Sequence, residues 1–254
     1  MYRKVPVSQA TQWIRQSWVL FKDSPGLWIG LSSLLITANL LPIIHQAFGV
    51  ASVLLSTVIM CGIYFAVYFR IRGLPVSFNV LKFVFEKREN TRKIFLFCTV
   101  SILIDLFFMM LQLQVIPERV MEKLLTDHLS VSMAEKLPLF WIIIGSWAVK
   151  FILMFALPLY ILQNQSLKNA IYFSCCAILT NTLPILTYTL LLSIVGGAFV
   201  VLTLGAGFVL FMPVALISGC ISFFDICPGK VSGGNQHNKD DEGKSDSDNA
   251  IFLP

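Results

Sequence analysis

The sequence predicts an all-α integral membrane protein that crosses the bilayer six times. Of its 254 residues, 56% are apolar and only 13% are charged, and this charged share is about half that of an ordinary soluble domain. The charges are clustered, so that uncharged runs reach the length of about 20 residues that one helix needs to cross a bilayer. Most Lys and Arg fall in alternate connecting segments, as in multi-pass proteins. These observations argue against a water-soluble globular enzyme.

Residues 1–24 predict a helix that lies in the membrane interface on the cytoplasmic side. Between residues 8 and 23, apolar side chains recur at helical spacing while polar side chains fall mostly on the other faces, a pattern typical of interfacial helices. We expect Trp13 and Trp18 to anchor this helix at the level of the lipid headgroups. The predicted apolar stripe consists of Ala10, Ile14, Trp18 and Phe21.

Residues 25–224 predict a membrane domain of six spans. The last two spans share one uncharged run, from Leu183 to Phe224, that is too long for a single crossing. The glycines between residues 205 and 207 are the favoured turn in this run, with Gly196 and Gly197 as the alternative break. The predicted spans are 25–44, 48–69, 94–114, 138–162, 182–203 and 205–224.

These spans are expected to form three helical hairpins, each preceded by an interfacial amphipathic helix. Residues 77–89 repeat the N-terminal pattern, with Phe78, Leu81 and Phe85 as the apolar stripe, and residues 165–177 form a weaker third copy. The three units have the same orientation in the membrane, which differs from the inverted repeats of many transporters.

Both termini are predicted to be cytoplasmic. An even number of spans leaves the termini on one side, and cytoplasmic segments carry the excess of Lys and Arg. The opposite side exposes the segment 115–137, in which acidic residues outnumber basic ones. Residues 225–254 are polar and acidic, so we expect a disordered cytoplasmic tail. Ahead of the predicted tail, the cations on the side of the termini are Arg3, Lys4, Arg15, Lys22, Arg70, Arg72, Lys82, Lys87, Arg88, Arg92, Lys93 and Lys168.

Two ionisable residues, Asp105 and Lys150, interrupt the third and fourth spans. Counted from the cytoplasmic ends of their spans at 1.5 Å per residue, both lie about 17 Å deep. If the two spans pack together, the opposite charges can neutralise each other. The pair either fixes the register of two helices, or it serves as a proton or ion relay or as a counter-charge for an anionic substrate group. The polar residues that share this face of span three are Cys98, Ser101 and Gln112.

The basic segment between spans two and three is predicted to contact anionic lipids at the cytoplasmic face. A cation near an anionic membrane surface contributes about 1 kcal/mol to binding. The net charge of +5 is too small, and the basic residues too interspersed with apolar ones, for nucleic-acid binding through phosphate neutralisation. The predicted lipid contacts are Lys82, Lys87, Arg88, Arg92 and Lys93.

The sequence predicts no enzyme activity, no cofactor and no metal site. Its six cysteines include no C-x-x-C pair and no His at metal-ligand spacing. It also contains no Ser-His-Asp order, no H-E-x-x-H and no phosphate loop.

The N-terminal layout resembles an uncharacterised family of bacterial six-span inner-membrane proteins. In that family a Trp-containing interfacial helix leads through a Phe-x-x-x-Pro step into the first span, and here these residues are Trp13, Trp18, Phe21 and Pro25, with Trp28 following. A remoter likeness is to the membrane domain of some bacterial glycerophosphodiester phosphodiesterases. The resemblance implies a place in the bacterial cytoplasmic membrane and transfers no catalytic residue.

Two functions follow as hypotheses. The first is a non-enzymatic membrane scaffold or lipid-interacting module whose partners are the bilayer and its anionic lipids. The alternative is a small transporter or permease with Asp105 and Lys150 on its pathway. An intramembrane enzyme is the weakest interpretation, because no catalytic constellation supports it.

Overall fold

The computed structural model describes residues 2–86, 88–115 and 133–229. Within these ranges the protein is helical and has no β-strand. A 3₁₀ turn, Gln46–Phe48, joins the second and third helices. The helices are α1 (Gln9–Asp23), α2 (Pro25–Ile44), α3 (Gly49–Ile71), α4 (Val80–Phe83), α5 (Arg88–Val115), α6 (Met133–Ile161), α7 (Leu167–Thr180), α8 (Thr182–Leu202) and α9 (Phe208–Ile226).

Six of these helices are long and apolar enough to cross a membrane, which supports the prediction of an all-α multi-pass membrane protein. They are α2, α3, α5, α8, α9 and residues Leu137–Ile161 of α6. Their bounds differ from the predicted spans by a few residues at most ends. The largest difference is in α5, which begins at Arg88 because the polar segment 88–93 continues the helix ahead of the apolar part.

The long uncharged run near the C-terminus breaks between α8 and α9, at the favoured glycine turn. Leu204 and Gly205 adopt left-handed backbone conformations, with φ of 52° and 91°. The Thr203 hydroxyl accepts a hydrogen bond from the backbone N–H of Gly207 at 2.7 Å. Glycine tolerates the left-handed conformation without steric cost, so this segment can reverse the chain.

The alternative break at Gly196 and Gly197 does not occur, because α8 continues through both residues. A Cβ atom on Gly196 would lie 1.9 Å from the ring of Phe211, whereas one on Gly197 would meet nothing within 4 Å. Gly196 therefore gives the Phe211 ring of α9 the space to pack against α8.

Helices α3 and α9 form the centre of the bundle. Each is buried over more than half of its apolar window, whereas α5 and α8 are mostly exposed and lie at the periphery. The Tyr64 hydroxyl of α3 donates a hydrogen bond to the carbonyl of Met154 in α6 at 3.1 Å. The Phe223 ring of α9 packs edge-on against the rings of Tyr64 and Phe155.

Buried side chains concentrate at one end of the bundle, where α2, α5 and α8 begin and α3, α6 and α9 end. There the backbone N–H of Arg3 donates to the carbonyl of Ile226 at 2.8 Å, and the Gln163 amide donates to the carbonyl of Cys227 at 2.9 Å. In the opposite halves of the helices, most large apolar side chains are exposed. We call the packed end the basic end, because it carries Arg3, Lys4, Arg15, Lys22, Arg70, Arg72, Lys82, Arg88, Arg92, Lys93 and Lys168.

The face through which helix α1 packs shares Ala10 and Phe21 with the predicted apolar stripe but is rotated towards Trp13 and Ser17. Trp13 is fully buried and Trp18 is 45% exposed. Trp13 is therefore a core residue rather than the predicted interfacial anchor, because its indole N–H finds an acceptor inside the protein, the carboxylate of Asp225. The buried face of α1 consists of Ala10, Trp13, Ser17 and Phe21.

In the described part of the segment predicted as a second amphipathic helix, 77–89, Val80–Phe83 form a short α-helix, and Arg88 and Glu89 already belong to α5. Its buried residues are Val80 and Val84, whereas Phe78 and Phe85 of the predicted stripe are about half exposed. Two glycines explain how this segment is held. The Phe78 ring occupies the space beside Gly30, and the Leu81 side chain occupies the space beside Gly62. Local packing against α2 and α3 therefore replaces regular helix here.

Helix α7 covers most of the predicted third amphipathic segment. The Ser166 hydroxyl accepts from the backbone N–H of Asn169 at 3.3 Å and so caps its first turn. The Ser174 hydroxyl donates to the carbonyl of Ile152 at 2.6 Å and fixes α7 against α6.

Parts of three predictions lie outside the described residues. These are the external segment 116–132, the predicted lipid contact Lys87 and residues 230–254 of the predicted tail. The start of that predicted tail, 225–229, is described. There α9 runs on to Ile226 and Cys227 is buried, so the last helix extends two residues beyond the predicted end of its span.

Candidate functional site

The two charges predicted in spans three and four meet in the structure. The Nζ atom of Lys150 lies 2.9 Å from Oδ1 of Asp105, and α5 and α6 pack against each other. Asp105 is 11 residues beyond Ile94, where the apolar part of α5 starts, and Lys150 is 11 residues before Ile161, where α6 ends. Both therefore lie about 17 Å from the basic end, near the middle of a hydrocarbon core about 30 Å thick.

The ion pair lies on the surface of the bundle. The side chain of Asp105 is 43% exposed and that of Lys150 is 56% exposed. Beside the pair, between α5 and α6, is an apolar groove of about 330 Å³. It is lined by Val100, Leu103, Ile104, Phe107, Phe108 and Val149. The groove next to the two charged side chains is therefore apolar and offers no polar groups to bind water or a hydrophilic substrate.

The other polar residues predicted on this face of α5 do not join the ion pair in one site. Cys98 is buried and faces α3, where its Sγ lies 4.0 Å from the carbonyl oxygen of Val53. The Ser101 hydroxyl donates to the carbonyl of Phe97 in its own helix at 3.0 Å. Gln112 is partly exposed and lies nearly two turns beyond Asp105.

The predicted lipid-contacting cations divide into two groups. Lys82, Arg88 and Arg92 are exposed, as the prediction requires. Lys93 is less accessible to lipid, because its side chain is only 13% exposed and its Nζ lies 2.8 Å from a carboxylate oxygen of Glu89. The Lys93 ammonium group also donates a hydrogen bond to the side-chain Oδ1 of Asn164 and lies over the Tyr160 ring. Lys93 therefore joins the start of α5 to the end of α6.

More exposed cations surround this group at the basic end. Among the described residues they make no ion pair, whereas three carboxylates at this end are already paired, Asp23 with Arg70, Glu89 with Lys93 and Asp225 with Arg3. Within the described part of the chain, the basic end therefore presents an excess of unpaired positive charge. The exposed cations without an ion pair to a described carboxylate are Lys4, Arg15, Lys22, Arg72, Lys82, Arg88, Arg92 and Lys168.

A polar cluster that the sequence analysis did not predict joins the N-terminal segment to the bundle. The Asp225 carboxylate accepts from the Trp13 indole N–H at 2.9 Å and forms an ion pair with Arg3. The Asn181 side chain accepts from the backbone N–H of Val5 and donates to the carbonyl of Arg3, both at 2.9 Å. The available signal was that Asp225 is an isolated charge in an apolar run and that Asn181 lies in the short polar junction ahead of the fifth predicted span.

The described residues include no group of three or more His, Cys, Asp or Glu side chains that could hold a metal ion. The six cysteines are free thiols. Cys227, just beyond α9, is buried, and burial raises the pKa of its thiol to about 12. Such a thiol stays protonated at neutral pH and is a poor nucleophile and metal ligand.

No protein-family model, curated protein or solved structure matches the chain. The fold and the geometry of its charged residues are therefore the basis for any functional inference.

Proposed function

We propose that this multi-pass protein is a non-enzymatic module of the bacterial cytoplasmic membrane that binds anionic lipids through its basic end. In this proposal both termini are cytoplasmic, because cytoplasmic segments of membrane proteins carry the excess of Lys and Arg. The proposal includes membership of the uncharacterised six-span family that the N-terminal layout resembles.

The observation that carries the proposal is the set of exposed cations at the basic end. The described carboxylates there are mostly engaged by Arg3, Arg70 and Lys93, so the exposed Lys and Arg remain available to lipid phosphates. Each cation near an anionic membrane surface contributes about 1 kcal/mol, and several cations at one level add to a preference for anionic lipid.

Helices α1 and α7 support an interfacial role for this end. Each buries one face in the bundle and exposes large apolar side chains, Trp18 and Val19 in α1 and Tyr172 and Leu179 in α7. An exposed apolar face beside exposed Lys or Arg is the composition of a helix that lies in the headgroup region. In this arrangement the apolar side chains enter the interface while the cations meet the phosphates.

The test compares the full chain in nanodiscs of anionic and of neutral lipid. We expect a higher melting temperature in anionic lipid and a difference that shrinks as salt is added, because the Debye length falls to about 10 Å at 0.1 M. The triple variant Lys82→Gln, Arg88→Gln, Arg92→Gln should lose a large part of the difference. Equal melting temperatures of the wild-type protein in both lipids would contradict the proposal.

A matched control separates lipid binding from a general effect of removing charge. Glu86 is exposed in the same segment and carries the opposite sign. Glu86→Gln should keep or slightly increase the preference for anionic lipid. If Glu86→Gln and the triple variant reduce the preference equally, the cations do not act through lipid phosphates.

The transporter alternative requires a wet pathway along the face of α5 that carries Asp105. A cysteine at Ser101 or Gln112, in a chain whose native cysteines are replaced, should then react with a water-soluble thiol reagent. The apolar groove beside the pair and the bond of the Ser101 hydroxyl to its own helix favour the lipid-binding proposal instead. Rapid labelling at both positions would reverse this preference.

A further inference from the structure

The ion pair of Asp105 and Lys150 is incompletely covered by the protomer that carries it. A charged side chain near the centre of a bilayer is unfavourable unless it is paired or in contact with water. Pairing reduces this cost, but 43% and 56% of the two side chains remain exposed at mid-membrane depth. A surface of this kind is more stable when another polar surface covers it.

Neither acyl chains nor headgroups fit this role. Acyl chains offer no hydrogen-bond partner, and headgroups lie about 15 Å away, at the edge of a core about 30 Å thick. Water has little to bind beside the pair, because the neighbouring groove is lined by carbon. A covering surface that brings both a cation and a carboxylate to the middle of the membrane complements the two charges of this pair.

A second copy of the same chain meets this requirement. A two-fold axis along the membrane normal keeps every residue at its depth, and Asp105 and Lys150 lie at the same depth. The rotation therefore brings Asp105 of one copy opposite Lys150 of the other, and the reverse, so that four charges alternate in sign. Two-fold interfaces are self-complementary in this way.

We infer that the face of α5 and α6 around Asp105 and Lys150 is a dimer interface between two copies of this chain. Apolar contacts accompany the charges, because Leu103 and Phe107, which line the groove, and Trp147, one turn from Lys150 on α6, are all exposed. Close van der Waals packing drives helix association in lipid, so apolar side chains of the second copy can pack into the groove. This inference is independent of lipid binding at the basic end.

The first test exchanges charges between two differently tagged copies. Asp105→Lys gives a face with two cations, and Lys150→Asp gives a face with two carboxylates. Each variant alone should repel itself and run as a monomer in detergent, with the protomer mass of 28.5 kDa. Co-expressed, the two variants should be captured together as a particle of twice that mass, as the wild-type protein should be by itself.

The second test keeps the native charges, so that it does not depend on how well the charge variants fold. In a chain whose native cysteines are replaced, Met109→Cys and Trp147→Cys lie one turn from Asp105 and Lys150 and are exposed. A short bismaleimide should cross-link at least one of them to the same residue of a second copy. Ile194→Cys in α8 is the matched control, because it is exposed and also about 18 Å from the start of its helix.

Three results would overturn the inference. The wild-type protein could be a monomer in nanodiscs and mild detergent. The cysteines at 109 and 147 could cross-link no more than the control at 194. Lastly, the wild-type protein could be a dimer while the two charge variants dimerise separately as well as together, which would place the interface on another face.

Discussion

Replacing Asp225 should destabilise the protein more than replacing any exposed carboxylate, because Asp225 joins the N-terminal segment to the end of α9. Its carboxylate accepts from the buried indole of Trp13 at 2.9 Å and pairs with Arg3. Asp225→Ala leaves the indole N–H buried without a partner. Asp225→Asn keeps an oxygen for Trp13 and removes only the charge.

The magnitude follows from these contacts. A hydrogen bond to a charged group is worth about 1.5–3 kcal/mol, and a partly exposed ion pair such as that with Arg3 adds up to about 1 kcal/mol. Asp225→Ala should therefore lower the free energy of unfolding by about 3 kcal/mol. Asp225→Asn should lower it by about 1 kcal/mol.

Thermal unfolding of the full chain in detergent is the assay. For a chain of about 150–250 residues, 1 kcal/mol shifts the melting temperature by about 2–4 °C, so Asp225→Ala should melt about 6–12 °C below wild type. The control Glu86→Ala should change little, because surface substitutions usually stay within about 0.5 kcal/mol. The reasoning is refuted if Asp225→Ala melts with wild type, or if Asn is as harmful as Ala.

Three further results are expected. Gly196→Ala should destabilise by about 1–3 kcal/mol through overpacking against Phe211, whereas Gly197→Ala should be neutral or stabilising by up to about 1 kcal/mol; equal melting temperatures of the two variants would contradict the packing. Asn181→Ala should lower the melting temperature and increase proteolysis at the N-terminus, because the Asn181 side chain hydrogen-bonds the backbone of both Arg3 and Val5. Unchanged cleavage would show that other contacts hold the N-terminal segment. A variant with Cys227 as its one thiol should react with iodoacetamide at pH 8 only after unfolding, and rapid alkylation of the folded protein would show that the thiol is accessible. The free energy of unfolding of this variant should fall as pH rises from about 8.5, the usual thiol pKa, towards about 12, because only the unfolded chain ionises the thiol in that range.

The number and approximate position of the membrane helices could be predicted from the sequence, because the length of an apolar run is a local property. The turn at Gly205 and the depth of Asp105 and Lys150 also follow from local spacing. Their contact was predicted only on the condition that α5 and α6 pack together, and the structure satisfies that condition at 2.9 Å.

The packing face of α1 could not be predicted in the same way. Helix α1 is apolar on more than one side, and Trp13 turns inward because Asp225, 212 residues further along the chain, accepts its N–H. Lys93 likewise looks like a surface cation in sequence, but Asn164, 71 residues away, takes part in holding it against α6. The spacing of apolar residues along one helix does not indicate contacts with residues that are distant in the sequence.

The glycines show a further limit of sequence patterns. The ring of Phe78, 48 residues further along the chain, fills the space beside Gly30, and local spacing does not indicate this contact. The same packing explains why residues 77–89 do not form a full helix. A short segment can follow the surface of its neighbours when two glycines admit its side chains.

The measurement that tests the central claim most directly is the lipid bound to the purified full chain, counted by native mass spectrometry. From a mixture of anionic and zwitterionic lipid, the wild-type protein should retain mainly anionic lipid. The triple variant Lys82→Gln, Arg88→Gln, Arg92→Gln should lose a large part of this selectivity, while Glu86→Gln should keep it. The account is contradicted if the wild-type protein retains both lipids in the proportion supplied, or if the triple variant remains as selective as wild type.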